Sequence, residues 1–332
     1  MPNTYRQLLD NLANGREAVL LTLCRPDGVV KTLREDAGVL GDGEEALRVV
    51  EEAEGFTVVE RLSPAPRLVI LGAGHVAVPL AAMGAMLRFE VVVFDDRPSF
   101  ANRARFPAAR EIVCDYFEEA ARRLAFRKSD YVAIVTRGHK HDQDCLRAVL
   151  KGDPPRYVGM IGSSRRVRIV REQLLREGFA PEILENLHAP IGLAIGAVTP
   201  EEIALSILAE MVRERSGRSS GARRGSDEGA FADAELLQWL ASDHQEKAAL
   251  VTVLSVKGST PRGAGAKMAV LEDGRIIGSI GGGCAEAEVV MEARRIAAQG
   301  GWRRKTVDMT DSAEDDGMVC GGVMDVLIEA EA

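Results

Sequence analysis

From Arg67 onward the chain alternates short runs of Val, Ile and Leu with longer stretches of helical period. Leu68–Leu71, Phe89–Phe94, Glu111–Cys114, Tyr131–Thr136 and Tyr157–Ile161 read as strands, with helical stretches between several of them. Near-continuous apolar runs separated by helices predict a parallel sheet covered on both faces. A further helix begins at Thr199. Thr199 at N-cap, Pro200 at N1 and Glu202 at N3 form a capping box. Ile203, Leu205, Ile207, Leu208 and Met211 then give it an apolar face wide enough to be buried.

The last hundred residues have another texture. Ala249–Val256 reads as a strand. Met268–Leu271 and Arg275–Ile280 flank Glu272-Asp273-Gly274 as a hairpin with an Asp-Gly turn. Gly281-Gly282-Gly283-Cys284, a helix AEAEVVMEARRIAAQ and a strand Val323–Ile328 follow. Near the start, YRQLLDNLANGREAVLLTL echoes ELLQWLASDHQEKAALVTVL, and GEEALRVVEEAEGFTVVERL echoes AEAEVVMEARRIAAQGGWRR. Either residues 1–62 are a shortened copy of the C-terminal domain, able to pack against it, or the likeness is one between amphipathic helices. Ser216–Gly229, SGRSSGARRGSDEG, reads as a flexible linker, and Pro64 and Pro66 mark a softer boundary. The organisation expected is an N-terminal segment 1–62, an α/β doubly wound domain 63–215, a linker 216–229 and a smaller α+β domain 230–332.

Composition narrows the classes of function. The chain has 332 residues, 46% hydrophobic and 28% charged, as in ordinary globular proteins. Lys+Arg 42 against Asp+Glu 50 leaves a net charge of −8, which argues against nucleic acid as a partner. Leu68–Leu87 carries no acid, Lys or Arg, but Gly72, Gly74, Pro79 and Gly84 within it indicate strand, turn and helix, not a membrane span. The first twenty residues show no basic segment followed by an apolar one, so no signal peptide is expected. Five cysteines, at 24, 114, 145, 284 and 320, are scattered and odd in number. No disulfide framework is expected, and a reducing, cytoplasmic setting is.

Four segments carry candidate chemistry. Gly72-Ala73-Gly74-His75-Val76-Ala77 follows a strand and opens a helix, in the G-x-G-x-x-A form of a dinucleotide turn. Asp95 lies 23 residues beyond Gly72, where an acid binds ribose hydroxyls and favours NAD; Asp96 and Arg97 blur that preference. The alternative is a Rossmann-like fold that binds no dinucleotide. Thr136-Arg137-Gly138-His139-Lys140-His141-Asp142 ends the fourth strand. His139, His141 and Asp142 are candidate acid/base or ligating groups, or incidental residues of an exposed loop. Gly162-Ser163-Ser164-Arg165-Arg166 suits a phosphate at a helix start, or is a solvated basic face.

The most distinctive set lies near the C-terminus: Lys257–Arg262, Lys267, the Gly281-Gly282-Gly283-Cys284 loop, and Cys320 in a second glycine loop. Successive amide N–H groups form an anion nest, and a helix start lowers a thiol pKa. Two cysteines in separate glycine loops suggest a ligand or thiol site, whereas Cys114 looks structural, inside an apolar strand. The alternative is small residues filling tight turns. Two thiols without a C-x-x-C supply too few ligands for structural zinc, and no metal site is expected.

At these residues the chain resembles the XdhC/CoxI family, accessory factors for xanthine dehydrogenase and related molybdenum hydroxylases. GSTPRGAGAKMAVLEDGRIIGSIGGGCAEAEV and DDGMVCGGVMDVLIE are similar to its Cys-containing domain. RLVILGAGHVAVPLA, FEVVVFDDRP, TRGHKHDQDCL, YVGMIGSSRRVR and HAPIGLAIGAVTPEEIALSILAEM are similar to its Rossmann domain. The order departs from the family's usual one, since here the Rossmann domain comes first. The resemblance implies a protein that binds molybdenum cofactor (molybdopterin), assists its sulfuration and passes it to an apo-hydroxylase, more a cofactor-binding chaperone than a turnover enzyme. It makes Cys284 and Cys320 candidates for holding the cofactor or relaying sulfur, with a cysteine desulfurase as a further partner. Gly281, Gly282, Gly283, Arg262 and Lys267 would complement the cofactor's negative charge, and Gly72, Gly74, His75, Asp95, His139, Ser163 and Arg165 would line the Rossmann crevice. Two facing half-sites, or pairing of the shortened and intact copies, make a homodimer the expected assembly. The competing expectations are an oxidoreductase using NAD(P), or a nucleotide-sensing regulator of a partner.

Overall fold

An amphipathic helix, α1 (Pro2–Ala13), precedes four antiparallel strands: β1 (Ala18–Arg25), β2 (Gly28–Arg34), β3 (Leu47–Glu52) and β4 (Gly55–Leu62). They pair in the order β2-β1-β4-β3. The computed structural model describes residues 2–34, 46–152, 154–215, 233–258, 260, 262–308 and 322–331. These fall into two units, residues 1–64 with 225–332, and residues 65–224.

In the unit 65–224 the expected Val- and Ile-rich runs form five parallel strands. They are β5 (Arg67–Leu71), β6 (Glu90–Asp95), β7 (Glu111–Cys114), β8 (Tyr131–Ile134) and β9 (Tyr157–Met160), in the order β7-β6-β5-β8-β9. Helices α2 (Ala77–Met86) and α7 (Pro200–Arg215) cover one face, in a core containing Leu68, Ile70, Leu80, Leu208 and Met211. On the other face α4 (His139–Leu150) and α5 (Ser164–Arg176) bury Leu146, Val149, Val170 and Leu174 against Val69, Leu71 and Val92. The short helices α3 (Ala120–Leu124) and α6 (Pro181–Glu185) complete this layer. The capping box at α7 forms as its residues dictate. The Glu202 N–H donates to Thr199 Oγ1 at 3.2 Å, and the Thr199 N–H donates to Glu202 Oε2 at 3.0 Å. Strand order reverses between β5 and β8, so the crevice at their carboxyl ends is the topological switch point where such sheets receive ligands.

The C-terminal part begins with α8 (Ala234–Ala241), whose first turn Asp233 caps. Then come β10 (Ala248–Gly258), β11 (Lys267–Leu271), β12 (Ile276–Gly278), α9 (Gly283–Gln299), β13 (Trp302–Asp308) and β14 (Gly322–Glu331). The antiparallel order is β12-β11-β10-β14-β13. Helix α9 covers one face of this sheet over Val251, Val253, Val326 and Ile328. Its opposite face meets the N-terminal sheet. Leu20 and Leu62 of one sheet share a core with Leu250 and Ala269 of the other, closed by Leu8 of α1 and Leu236 and Leu240 of α8. A second cluster joins Cys24, Phe56 and Val58 to Leu254 and Leu327. The period of two along β1 and β10 explains this. Ala18, Leu20, Thr22 and Cys24 are buried on one face of β1, while β10 is buried on both, with Leu250 in the core shared with the N-terminal sheet and Ala249, Val251 and Val253 in the core under α9.

The structure amends one part of the internal echo. GEEALRVVEEAEGFTVVERL does not fold like AEAEVVMEARRIAAQ: residues 47–62 are the hairpin β3–β4, whereas 283–299 are helix α9. Both stretches carry apolar pairs at mixed spacing, and only tertiary pairing decides between the two forms. The linker 216–229 and Cys320 lie outside the described residues, as do the side chains of His139 and Cys284.

Candidate functional site

The crevice at the switch point is built on Gly72. Its φ is +111°, and a Cβ there would lie 2.6 Å from the Val135 carbonyl oxygen, so the β5 and β8 ends approach only because this residue is glycine. A Cβ on Gly74 would meet nothing within 4 Å, and His75 beside it is exposed. Asp95 is 1% exposed and already engaged. Its carboxylate accepts from the Ala73 N–H at 2.7 Å and from Arg97 Nε and Nη2 at 2.8 and 3.0 Å. Arg97 also lies over the Phe100 ring, 3.7 Å from its centroid. Arg137 pairs with Asp96, and that hydrogen bond holds the Asp96 carboxyl below its ordinary range. Arg105 Nη2 donates to the Ala73 carbonyl at 3.2 Å. Arg97, Arg105 and Arg137 thus surround the turn and its acids. The FDDR and TRG motifs carry Arg97 and Arg137, whereas nothing local in the sequence marks Arg105 as the third.

The TRGHKHD segment is not a loop. His139 heads α4, and Asp142, three residues on, is fully buried. Asp142 accepts hydrogen bonds from Thr136 Oγ1 and Arg166 Nη2, so it pins β8 to α4 and α5 and does not face a ligand. His141 lies against Phe117 with ring centroids 5.0 Å apart, its Nδ1 buried without a hydrogen-bond partner among the described residues. Ser163 caps α5, accepting from the Arg166 N–H at 3.4 Å, and Arg165 is exposed in the first turn. Arg166 is taken by Asp142, which leaves Arg165 as the cation of this helix start that faces solvent. Among the described residues no group of three or more His, Cys, Asp or Glu is arranged to hold a metal ion.

In the C-terminal part, Gly281 (φ +132°) and Gly282 (φ +78°) lead into α9. The Gly282 N–H donates to Glu286 Oε2 at 2.7 Å, and Ser279 Oγ donates to the same oxygen at 3.1 Å. The loop therefore already holds one anionic oxygen, supplied by the chain itself. A Cβ on Gly282 would meet nothing within 4 Å, so space adjoins the backbone there. Gly283 is the first residue of α9 and Cys284 the second, where unpaired N–H groups and the helix dipole favour negative charge. The donor set of the Gly281–Gly282 loop and the α9 start fits an anionic guest. Arg262, in the β10–β11 connection, is exposed.

Two expectations are corrected. Lys267 does not face a cofactor: its side chain is 8% exposed, and its Nζ lies 2.8 Å from Glu60 Oε1 and 2.8 Å from Thr252 Oγ1, inside the sheet-on-sheet core. Cys114 is not interior either. It ends β7 and is exposed, opposite Asp95 in register. Its thiol is pushed up by what burial it has and by Asp95, Asp96 and Asp115. Cys24 and Cys145 are buried, and burial raises the Cys24 thiol to about 12.

Comparison with known proteins gives the following. The XdhC Rossmann domain matches residues 68–211, and the XdhC and CoxI family matches residues 241–308. A Bacillus subtilis (strain 168) protein described as a probable subunit of xanthine dehydrogenase is 33% identical over 157 residues, 47% of this chain and 45% of that protein. The molybdenum cofactor insertion chaperone PaoD of Escherichia coli (strain K12) is 37% identical over 75 residues, 23% of this chain and 24% of that one. The chain thus spans less than half the length of either relative. A solved structure described as a xanthine dehydrogenase from Bacillus halodurans superposes with a TM-score of 0.53 at 28% identity, covering 66% of this chain and 65% of that one. No described helix is long and apolar enough to cross a membrane.

Proposed function

We propose that this chain, which belongs to the XdhC/CoxI family, is an accessory factor for a molybdenum hydroxylase of the xanthine dehydrogenase type. It binds molybdenum cofactor as cargo, assists its sulfuration and passes it to the apoenzyme. The observation that carries this reading is the Gly281–Gly282 loop at the head of α9, which holds a carboxylate oxygen on its Gly282 N–H two residues before Cys284. Molybdopterin is anionic through its phosphate and its dithiolene-bound oxo metal. The loop amides, the start of α9 and Arg262 would answer that charge. Cys284 and Cys320 would hold the cargo or relay sulfur. In the relay, the Cys284 thiolate attacks the outer sulfur of a persulfide on a cysteine desulfurase. The new S–S bond forms as the donor cysteine leaves as its thiolate.

The test is purification from molybdate-fed cells, with metal analysis and pterin fluorescence. Wild-type protein is expected to retain molybdenum and pterin, and Cys284→Ala to lose most of both while melting normally. Protein without either, or equal loading of wild type, Cys284→Ala and Cys320→Ala, would overturn the reading.

The room over Gly74 favours a second role for the unit 65–224, the binding of NAD(P) by an oxidoreductase or a nucleotide-dependent regulator. Calorimetry with NAD and NADP tests it, and heat with neither would discard it.

A further inference from the structure

The two halves of the unit 1–64 with 225–332 repeat one pairing plan. Helix, strand, strand, strand, strand in the order β2-β1-β4-β3 corresponds to α8 followed by β11-β10-β14-β13. Registers agree through Leu23 of β1 and Val253 of β10, beyond which β10 alone carries a bulge against β14. Thr22 pairs with Lys31 on β2, as Thr252 pairs with Lys267 on β11. Leu20 pairs with Glu60 on β4, as Leu250 pairs with Glu329 on β14. Leu47 faces Glu60 as Trp302 faces Glu329. Helices α1 and α8 carry the same L-L-x-x-L-A string, at 8–13 and 236–241, and lie in one core.

The contacts between the halves are reciprocal as well. Lys31 of the first half reaches Glu329 of the second at 2.6 Å, and Lys267 of the second reaches Glu60 of the first at 2.8 Å. All four side chains are at most 8% exposed. In equivalent positions, each lysine meets the other half's glutamate. Contact of i with j matched by contact of j with i is the mark of a two-fold, self-complementary interface. Cys24 and Leu254, each two residues beyond the corresponding Thr22 and Thr252, share one cluster, as expected of residues near such an axis. The halves differ in their insertions: residues 35–46 alone join β2 to β3, too few for a counterpart of β12 and the 17-residue α9.

We infer that the face of the C-terminal sheet bearing Leu250, Thr252, Lys267, Leu327 and Glu329 is a self-association surface, and that residues 1–62 cover it as an in-chain substitute for a second copy. The partner it fits is the same face of another copy of this chain. There Lys267 of each copy would meet Glu329 of the other, because Lys31 and Glu60 stand in those places now. The homodimer expected from the sequence is, at this surface, folded into one chain. One glycine-loop site is displayed where a two-fold pair would display two.

The test reverses the two charges of the N-terminal half in the full chain, with Lys31→Glu and Glu60→Lys together. The C-terminal face then repels its cover but keeps its own complementary pair. Sedimentation equilibrium from 1 to 100 μM, about the range in which a modest interface associates, is expected to show association that wild type lacks. Adding Lys267→Glu sets two glutamates opposed in the copy-to-copy contact and should weaken that association at least tenfold. Adding Glu329→Lys as well restores an opposite-charge pair at each lysine–glutamate contact between the halves and should return the wild-type mass, with a lower melting temperature because Glu331 still faces position 31. A folded double variant with wild-type mass at all concentrations overturns the inference, as does association indifferent to Lys267→Glu. Should the double reversal precipitate, Lys31→Gln with Glu60→Gln is run identically and has to associate, and failure there overturns the inference too.

Discussion

Arg97 closes on Asp95 with its backbone N–H at 3.0 Å, Nε at 2.8 Å and Nη2 at 3.0 Å, so the acid at the end of β6 is neutralised before any ribose arrives. A cation in this position favours a ribose 2′-phosphate over a free hydroxyl. Arg97→Ala would uncover the carboxylate. Calorimetry should then show the NAD to NADP affinity ratio rising roughly tenfold, about 1.4 kcal/mol. Unchanged affinities for both would show that no dinucleotide ribose sits there.

Gly72 and Gly74 should separate folding from binding. Valine at Gly72 takes a φ of +111° and drives a side chain into the Val135 carbonyl, so Gly72→Val is expected to cost a few kcal/mol and lower the melting temperature. Gly74 has open space, so Gly74→Val should melt within about 0.5 kcal/mol of wild type while blocking dinucleotide binding. Equal melting of the two variants would contradict the geometry of the turn.

Glu210 gives the unit 65–224 an acid limit. Burial alone would raise its carboxyl. Hydrogen bonds from His188, Tyr157 (2.7 Å) and the Gly192 N–H (2.9 Å) outweigh burial and hold it at about 2, against an ordinary 4.5. A depressed carboxyl contributes stability above its unfolded pKa and loses it as pH falls through the folded one. The contribution, on the order of 3 kcal/mol, should vanish between about pH 4.5 and 2. Denaturant titrations should show Glu210→Gln flattening that slope, and an unchanged slope would assign acid unfolding elsewhere.

Glu286 occupies the anion position of the α9 loop. Glu286→Gln keeps an oxygen for the Gly282 N–H and Ser279 but removes the charge. Retention of molybdenum and pterin should rise roughly three- to tenfold through relief of like-charge repulsion. A fall in retention would mean that Glu286 itself helps to hold the cargo.

What the chain announces in advance is local. The Thr199/Glu202 capping box, the helix start after Gly162 and the Asp273-Gly274 turn each lie within a few residues, and the structure forms all three. The parallel sheet was readable because a strand buried on both faces has to be apolar throughout. The role of Lys267 was not, because its partner Glu60 is 207 residues away and nothing nearby in sequence marks a lysine as interior. Asp142 misled for a related reason. In a polar run beside two histidines it resembles a ligand, and only Thr136 and the distant Arg166 make it structural. The repeat was legible where helix and first strand kept their pattern, and lost where an inserted helix stands opposite a hairpin.

The interlocking of residues 1–62 with the far end of the chain also bears on how the molecule is made. Tyr5 donates to Glu331 across 326 positions, and Lys31 to the same side chain across 300. On a ribosome the first sheet emerges long before β14, and its apolar face waits while the whole intervening domain is synthesised and folds. That interval invites capture by chaperones or by the open face of a neighbouring nascent chain, so slow release from the ribosome should favour swapped assemblies.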